Sequence, residues 1–181
     1  LLLIHSDHSG GIGVGNRNGN ITVTHSPSDL INSGSTGSFQ QLVDSIESDS
    51  ASPAVPWFAS GKTSGYLLFD FGVPEIVNKF TWKQGNSTGH GQWTFSGSND
   101  NSSFTALSTN LTLVSASNTD HTFTNTTAYR YYKLEKTGTG STSSNPYTYE
   151  IQFFDTAFTD SSTSSHNITA TGAFHSGVSE Q

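Results

Sequence analysis

One carboxylate stands inside an otherwise aromatic and aliphatic stretch near the end of the chain, YTYEIQFFD at residues 147–155. Side chains alternate between the two faces of a strand, so Glu150 is expected to point away from the large hydrophobic residues around it. Those residues are Tyr147, Tyr149, Ile151 and Phe153. A carboxylate in this position either faces solvent on an edge strand or takes part in chemistry. The stretch by itself leaves both interpretations open.

The remaining residues that could do chemistry do not form a catalytic pattern. The histidines are scattered: His5, His8, His25, His90, His121, His166 and His175. HSDH at residues 5–8 holds three potential metal ligands, but a solvated terminal segment is the more common explanation. GGIGVG at residues 10–15 lacks the spacing of a dinucleotide-binding loop. Asp49, Asp100 and Asp120 lie on turn-like segments, which argues against paired carboxylates in a cleft. We therefore expect no enzymatic activity.

The elements that position these residues are predicted to be strands. GYLLFDFG (65–72) and IVNKFTWK (76–83) alternate large apolar and polar residues, and turn-prone clusters such as GNSTGHG separate them from later strands. This pattern predicts an all-β antiparallel sandwich, or jelly roll, of about eight strands over residues 26–155. The spacing predicts buried side chains at Leu67, Phe69, Phe71, Phe80, Trp82, Phe95, Tyr131 and Ile151. Trp57 and Trp93 are expected in the core as well.

Composition supports this fold class and excludes some partners. Only 12% of the 181 residues are charged, and 12% are aromatic, which is typical of a folded strand-rich domain and not of a disordered chain. The formal charge is −7, with seven scattered Lys and Arg residues, so no nucleic-acid partner is expected. No apolar run approaches the roughly 20 residues that span a bilayer. The chain contains no cysteine, so no disulfide is expected.

Several segments, taken in order, resemble the discoidin (coagulation-factor type C) domains, which include many galactose-binding-like carbohydrate-binding modules. LVDS (42–45) resembles an early Leu-x-Asp-Gly element, with Ser45 in place of Gly. WFAS (57–60), GYLLFDFG and WTFSGSNDNSSFTALST (93–109) resemble the elements that follow, with Asn101 and Phe104 in place of Gly and Trp. TAYRYYKLEK (127–136) and YEIQFFD (149–155) complete the set.

The resemblance implies two sites. In the resembled family, an early Asp and a late Glu help to hold a structural calcium ion, and the matching positions here are Asp44 and Glu150. Asp49 is a potential third carboxylate, and Ca²⁺ prefers such oxygen ligands. The resembled modules bind glycans through loops at one end of the sandwich. The corresponding candidates are Lys62, Asn86, His90, Asn145 and Tyr147.

The flanks define the predicted domain organisation. We expect a β-rich extension over residues 1–25, a discoidin-like domain over 26–155 and a second extension over 156–181. LLLIHSD and FTDSSTSSHNITATGAFHS, within the two extensions, resemble pieces of laminin-G or concanavalin-like modules of phage fibres and bacterial surface proteins.

Three function classes follow from these expectations. The first is a non-catalytic glycan-binding adhesion module on a cell surface, a virion or in the extracellular space, with cell-surface or extracellular glycans and other modules of its assembly as partners. The second is a structural fibre or decoration protein that binds no sugar. The third is a piece of a hydrolase whose catalytic domain lies elsewhere.

Overall fold

The computed structural model describes residues 15–26, 38–46, 63–84, 89–113, 118–138 and 148–156. These residues form eight strands and one 3₁₀ helix. The strands are β1 (Thr22–His25), β2 (Tyr66–Glu75), β3 (Lys79–Gln84), β4 (Gln92–Ser98), β5 (Thr105–Thr112), β6 (Thr119–Thr122), β7 (Tyr129–Lys136) and β8 (Thr148–Phe154), and the 3₁₀ helix spans Phe39–Val43. Among them, no helix is long and apolar enough to cross a membrane.

The strands build two antiparallel sheets. The larger sheet has the order β1-β2-β7-β4-β5, and the smaller has the order β6-β3-β8. Apolar side chains from both sheets meet between them: Phe95 of β4 stacks against Tyr132 of β7, with ring centroids 5.4 Å apart, and lies 4.9 Å from Phe80 of β3. This arrangement is a β-sandwich, so the predicted fold class is confirmed.

The predicted core is confirmed at seven of its eight positions and is wrong at one. Seven of the side chains are at most 7% exposed: Leu67, Phe69, Phe71, Phe80, Trp82, Phe95 and Ile151. In β7 the structure buries Tyr132 completely, whereas Tyr131 is half-buried on the outer face. The run YRYY offers an aromatic residue to both faces, so alternation alone could not choose between them. Trp93 is buried as expected, and Trp57 lies outside the described residues.

The side chain of Tyr132 shows what selects that register. Its hydroxyl donates to the carbonyl of Glu75 at 2.6 Å and accepts from the backbone N–H of Val77 at 3.1 Å. Both groups belong to the turn where β2 leaves the sheet after a register shift between Asp70 and Glu75. The hydroxyl therefore satisfies backbone groups that the interrupted ladder no longer pairs.

Strand β1 belongs to the sandwich, although it lies within the predicted N-terminal extension. It pairs antiparallel with β2, with Val23 opposite Phe69, and both Ile21 and Val23 are buried in the core. Gln40 of the 3₁₀ helix also holds this strand, because its amide accepts from the N–H of Val23 at 2.9 Å and donates to the carbonyl of Ile21. The boundary expected between residues 25 and 26 therefore falls inside one sheet.

Candidate functional site

One end of the sandwich gathers the connections that carry most of the predicted ligand residues. Gln84 at the end of β3 is opposite Thr148 at the start of β8, and Trp93 of β4 is opposite Lys136 at the end of β7. The N–H of His90 bonds to the carbonyl of Leu113 at 2.9 Å, which ties the β3–β4 connection to the end of β5. We call this region, where β3, β5 and β7 end and β4 and β8 begin, the loop end.

Lys62, Asn86, Asn145 and Tyr147 lie outside the described residues. Their neighbours in sequence, residues 63–66, 84, 89–90 and 148, do lie at the loop end. A role of these four side chains in ligand binding stays a prediction.

His90 is described, and its predicted role is wrong. Its side chain has no exposed surface, so it cannot contact a ligand at the protein surface. Its ring lies edge-on to that of Trp82, with centroids 5.2 Å apart, and Nε2 lies 3.3 Å from Oγ1 of Thr148. Burial, together with the nearby charge of Lys136, lowers the pKa of His90 to about 3, so the imidazole is neutral near pH 7. The turn-rich sequence GNSTGHG indicated a surface residue, but the chain has already re-entered the sandwich at His90.

Lys136 lies beside His90 and was not singled out from the sequence. It is only 4% exposed, its Nζ donates to the carbonyl of His90, and its ammonium lies 5.0 Å from the ring centroid of Trp93. Burial lowers its pKa to about 8. The signal was the alternation of Tyr132, Leu134 and Lys136, which places the lysine on the inner face once the register of β7 is known.

Glu150 contacts the backbone next to Asp44, at the end of the 3₁₀ helix. The N–H of Ser45 donates to Oε2 of Glu150 at 3.1 Å, across 105 residues of sequence. Glu150 is 2% exposed and Asp44 is 8% exposed, so neither carboxylate is an ordinary surface group. β8 is an edge strand of the smaller sheet, but the 3₁₀ helix packs against it. The solvent-facing interpretation of Glu150 is therefore wrong.

The backbone next to Asp44 has a conformation that favours glycine, the residue that the resembled element carries where this chain has Ser45. Ser45 has φ = 69°, in the left-handed region that favours glycine. Oδ1 of Asp44 accepts from the N–H of Ile46 at 2.9 Å, which closes a tight turn. Burial raises the pKa of Asp44, and its hydrogen bonds only partly oppose that effect. The strained turn and the buried carboxyl are features that a bound cation would stabilise.

The donor set at this turn is of the kind that calcium prefers, since it consists of carboxylate oxygens. Within the described part of the chain, however, no group of three or more His, Asp or Glu side chains is placed to hold a metal. Asp49 lies outside the described residues. Further ligands would have to come from carbonyl oxygens, from water or from Asp49.

Two other surface features contain none of the predicted ligand residues. A shallow groove of about 80 Å³ lies beside β1 and is lined by Arg17, Asn20, Ile21, Phe71, Val73 and Glu75. On the outer face of the larger sheet, Nζ of Lys133 lies 4.2 Å from the ring centroid of Phe104 and 5.9 Å from that of Tyr66. Lys133 is also paired with Glu135 at 3.1 Å, so this face is locally neutral.

Comparison with known proteins identifies the fold. No protein-family model matches the chain, and no curated protein matches it in sequence. Solved structures do match. A pectin-binding carbohydrate-binding module aligns with a TM-score of 0.58 and 20% identity, covering 81% of this chain and 94% of that one.

Two further structures align in the same way. The module CpGH89CBM32-5 of Clostridium perfringens, solved with GalNAc-β-1,3-galactose, gives a TM-score of 0.57 and 19% identity over 78% of this chain and all of that one. Chitosan-binding module 2 of a chitosanase/glucanase from Paenibacillus sp. IK-5, solved with chitotriose, gives a TM-score of 0.56 and 15% identity. The alignment covers 75% of this chain and 97% of that one. The shared architecture is the galactose-binding-like, or discoidin, sandwich, so the resemblance seen in the sequence is confirmed at the level of the fold.

Proposed function

We propose that this chain is a non-catalytic carbohydrate-binding module that acts outside the cell and binds its glycan at the loop end. The observation that carries this proposal is the shared fold. The similar structures are modules named for chitosan or pectin or solved with a saccharide, and this chain spans at least 94% of each of the three described above. A fold hosts many functions, so the argument also depends on the chemistry of the loop end.

That chemistry suits a saccharide. The connections that leave the described strands at the loop end, residues 85–89 and 137–147, are rich in Asn, Ser, Thr and Gly and include Tyr147. Hydroxyl and amide groups can hydrogen-bond the hydroxyls of a sugar, and an aromatic ring can cover its apolar face. The floor beneath them is rigid, because Trp82 and Trp93 are buried and their indole N–H groups bond to Gln84 and to the carbonyl of His90.

A glycan array and affinity electrophoresis on polysaccharides test the function. We expect retention on at least one glycan, and we expect Asn145→Ala/Tyr147→Ala to abolish it with little change in the melting temperature. Thr124→Ala is the matched control, since Thr124 is exposed between β6 and β7, outside the loop end. An empty array together with ordered self-assembly would contradict the proposal and favour a structural assembly protein.

We further propose that Asp44 and Glu150 help to hold a structural calcium ion, with Asp49 as an additional ligand. Two carboxylates that are almost fully buried and joined by the strained turn at Ser45 support this proposal. When bound, the ion would offset the cost of burying these negative charges and would link the 3₁₀ helix to β8.

Thermal unfolding with and without calcium tests the ion site. A ligand that binds only the folded state raises the melting temperature by mass action, so millimolar calcium should raise it and a chelator should lower it. Glu150→Gln should remove the calcium response. Glu135→Gln should keep it, because Glu135 is a more exposed carboxylate on β7, paired with Lys133. Without a response in the unmodified protein, Glu150 is a buried acceptor for the Ser45 N–H and not a metal ligand.

A further inference from the structure

The most buried cation of the described chain has no carboxylate partner. Lys136 is 4% exposed, and its ammonium contacts only the carbonyl of His90 and the ring of Trp93 among the described residues. Three cations of the sheets that are more exposed than Lys136 do form ion pairs: Lys79 with Asp120, Arg130 with Asp70 and Lys133 with Glu135. Among the described residues, these three cations therefore have carboxylate partners, whereas the buried cation at the loop end has none.

A buried charge without a counter-charge is costly, and its contacts offset only part of that cost. A carbonyl oxygen and an aromatic face each attract an ammonium group, but neither carries a full negative charge. His90 contributes no charge of its own near pH 7, because burial keeps its imidazole neutral. The positive charge of Lys136 is consequently left uncompensated inside the loop end.

The connection that follows Lys136 in sequence does not supply the missing charge. Three of the connections at this end, residues 85–91, 113–118 and 137–147, contain neither Asp nor Glu, whereas the fourth, residues 26–65 between β1 and β2, carries Asp29, Asp44, Glu47 and Asp49. Among the described residues no carboxylate contacts the ammonium group of Lys136, and the segment that follows it, residues 137–147, contains none.

We propose that the glycan bound at the loop end is acidic, and that Lys136 provides the positive potential that selects its carboxylate or sulfate group. This inference depends on the proposed function, since it specifies the ligand class of the same site. Lys136 acts through its charge from below the surface and not by direct contact. A low-dielectric interior transmits that charge to the ligand better than water would.

Matched pairs of charged and neutral polymers test the proposal. Polygalacturonate and its methyl-esterified form differ in the carboxylate charge, and dextran sulfate and dextran differ in the sulfate charge, so the two pairs distinguish the two kinds of anion. We expect the charged member of at least one pair to bind at least tenfold more tightly at low salt, with an advantage that shrinks as salt is added. Equal or tighter binding of both neutral members would overturn the proposal.

Lys136→Met removes the charge while keeping a long apolar side chain. We expect the affinity for the charged polymer to fall about tenfold, which corresponds to about 1.4 kcal/mol, and the salt dependence to flatten. Lys133→Met is the control, because it removes a cation from the same strand on the outer face, where Glu135 already pairs with it. Equal losses in the two variants would show a general charge effect and would contradict a specific role of Lys136.

The pH dependence of the unmodified protein provides a measurement that does not require a folded variant. Lys136 loses its charge as the pH rises through about 8, whereas a sulfate group stays charged. Of the residues that contact Lys136, Trp93 and Gly65 do not titrate in this range, and His90 is neutral throughout. If dextran sulfate binds, its affinity should therefore fall between pH 7 and pH 9 while any binding of dextran stays constant.

The outcomes separate this inference from the proposed function. If no polymer and no arrayed glycan binds, the proposed function fails and the inference fails with it. If neutral glycans bind with an affinity that neither salt, pH nor Lys136→Met changes, the module function stands and the acidic ligand class is wrong.

Discussion

At the scale of single residues, His90 shows how burial couples one side chain to the pH dependence of stability. Its pKa is about 3 in the folded protein, against about 6.5 for an exposed histidine. The unfolded chain therefore takes up a proton below about pH 6.5 while the folded one does not. The stability contributed by neutral His90 is complete above that pH and is lost as the pH falls towards 3.

We predict that the protonation of His90 in the unfolded chain lowers the free energy of unfolding as the pH falls through that window. The decrease is up to about 1.4 kcal/mol for each pH unit. Urea unfolding at pH 7, 5 and 4 of the unmodified protein and of His90→Gln measures the effect. Contributions of carboxylates are shared by both proteins and cancel in the difference. Parallel stability profiles would contradict the burial of a neutral imidazole.

Gly97 gives a second prediction at this scale, because it lies directly against an aromatic ring. A Cβ at this position would lie 2.3 Å from Cδ2 and 2.6 Å from Cγ of Tyr129. Gly97→Ala should therefore destabilise the protein by about 1–3 kcal/mol through overpacking. Gly19→Ala is the control, since a Cβ there meets nothing within 4 Å, and its effect should stay within about 0.5 kcal/mol. The midpoints of urea unfolding of the two variants measure these changes in stability.

At the scale of elements, the turn after β2 is held by one hydroxyl group from β7. Removing it in Tyr132→Phe leaves the carbonyl of Glu75 and the N–H of Val77 without that partner, which should cost about 1–3 kcal/mol. Tyr131→Phe, one residue earlier on the outer face, should cost little. Equal effects of the two substitutions on the midpoint of urea unfolding would show that the register of β7 differs from the one described.

At the scale of the whole molecule, the extent of the domain can be tested by truncation. A chain that starts at residue 26 lacks β1 and the buried Ile21 and Val23, whereas one that starts at residue 15 keeps them. Burial of an aliphatic side chain contributes about 1.5–3 kcal/mol. We therefore predict that the shorter chain melts well below the longer one. Equal melting temperatures would support the domain boundary that the sequence predicts between residues 25 and 26.

Charge is also organised at this scale, and the sequence shows it only after the topology is known. The formal charge of −7 argued against a nucleic-acid partner. The strand order then brings three connections without Asp or Glu to one end of the sandwich, next to residues 26–65, which carry Asp29, Asp44, Glu47 and Asp49. An overall charge cannot predict such a grouping, because the grouping depends on which strand ends lie side by side.

The amino-acid sequence by itself determined the fold class and most of the core. Alternation of apolar residues is a local property, so it identified the inner faces of β2, β3 and β4 without knowledge of their partners. The order of the discoidin-like segments also placed Asp44 and Glu150 near each other, and the hydrogen bond from Ser45 to Glu150 agrees with that placement.

Only the tertiary structure decided which face of β7 is buried, that His90 is internal and that Lys136 lies beside it. Each of these outcomes depends on contacts between residues far apart in sequence: Tyr132 with Val77, His90 with Leu113 and Lys136 with His90. A turn-rich or aromatic-rich run permits either face of a strand. Which face is buried depends on the unpaired backbone groups and the charges of the neighbouring strands. A local sequence pattern contains no information about those groups.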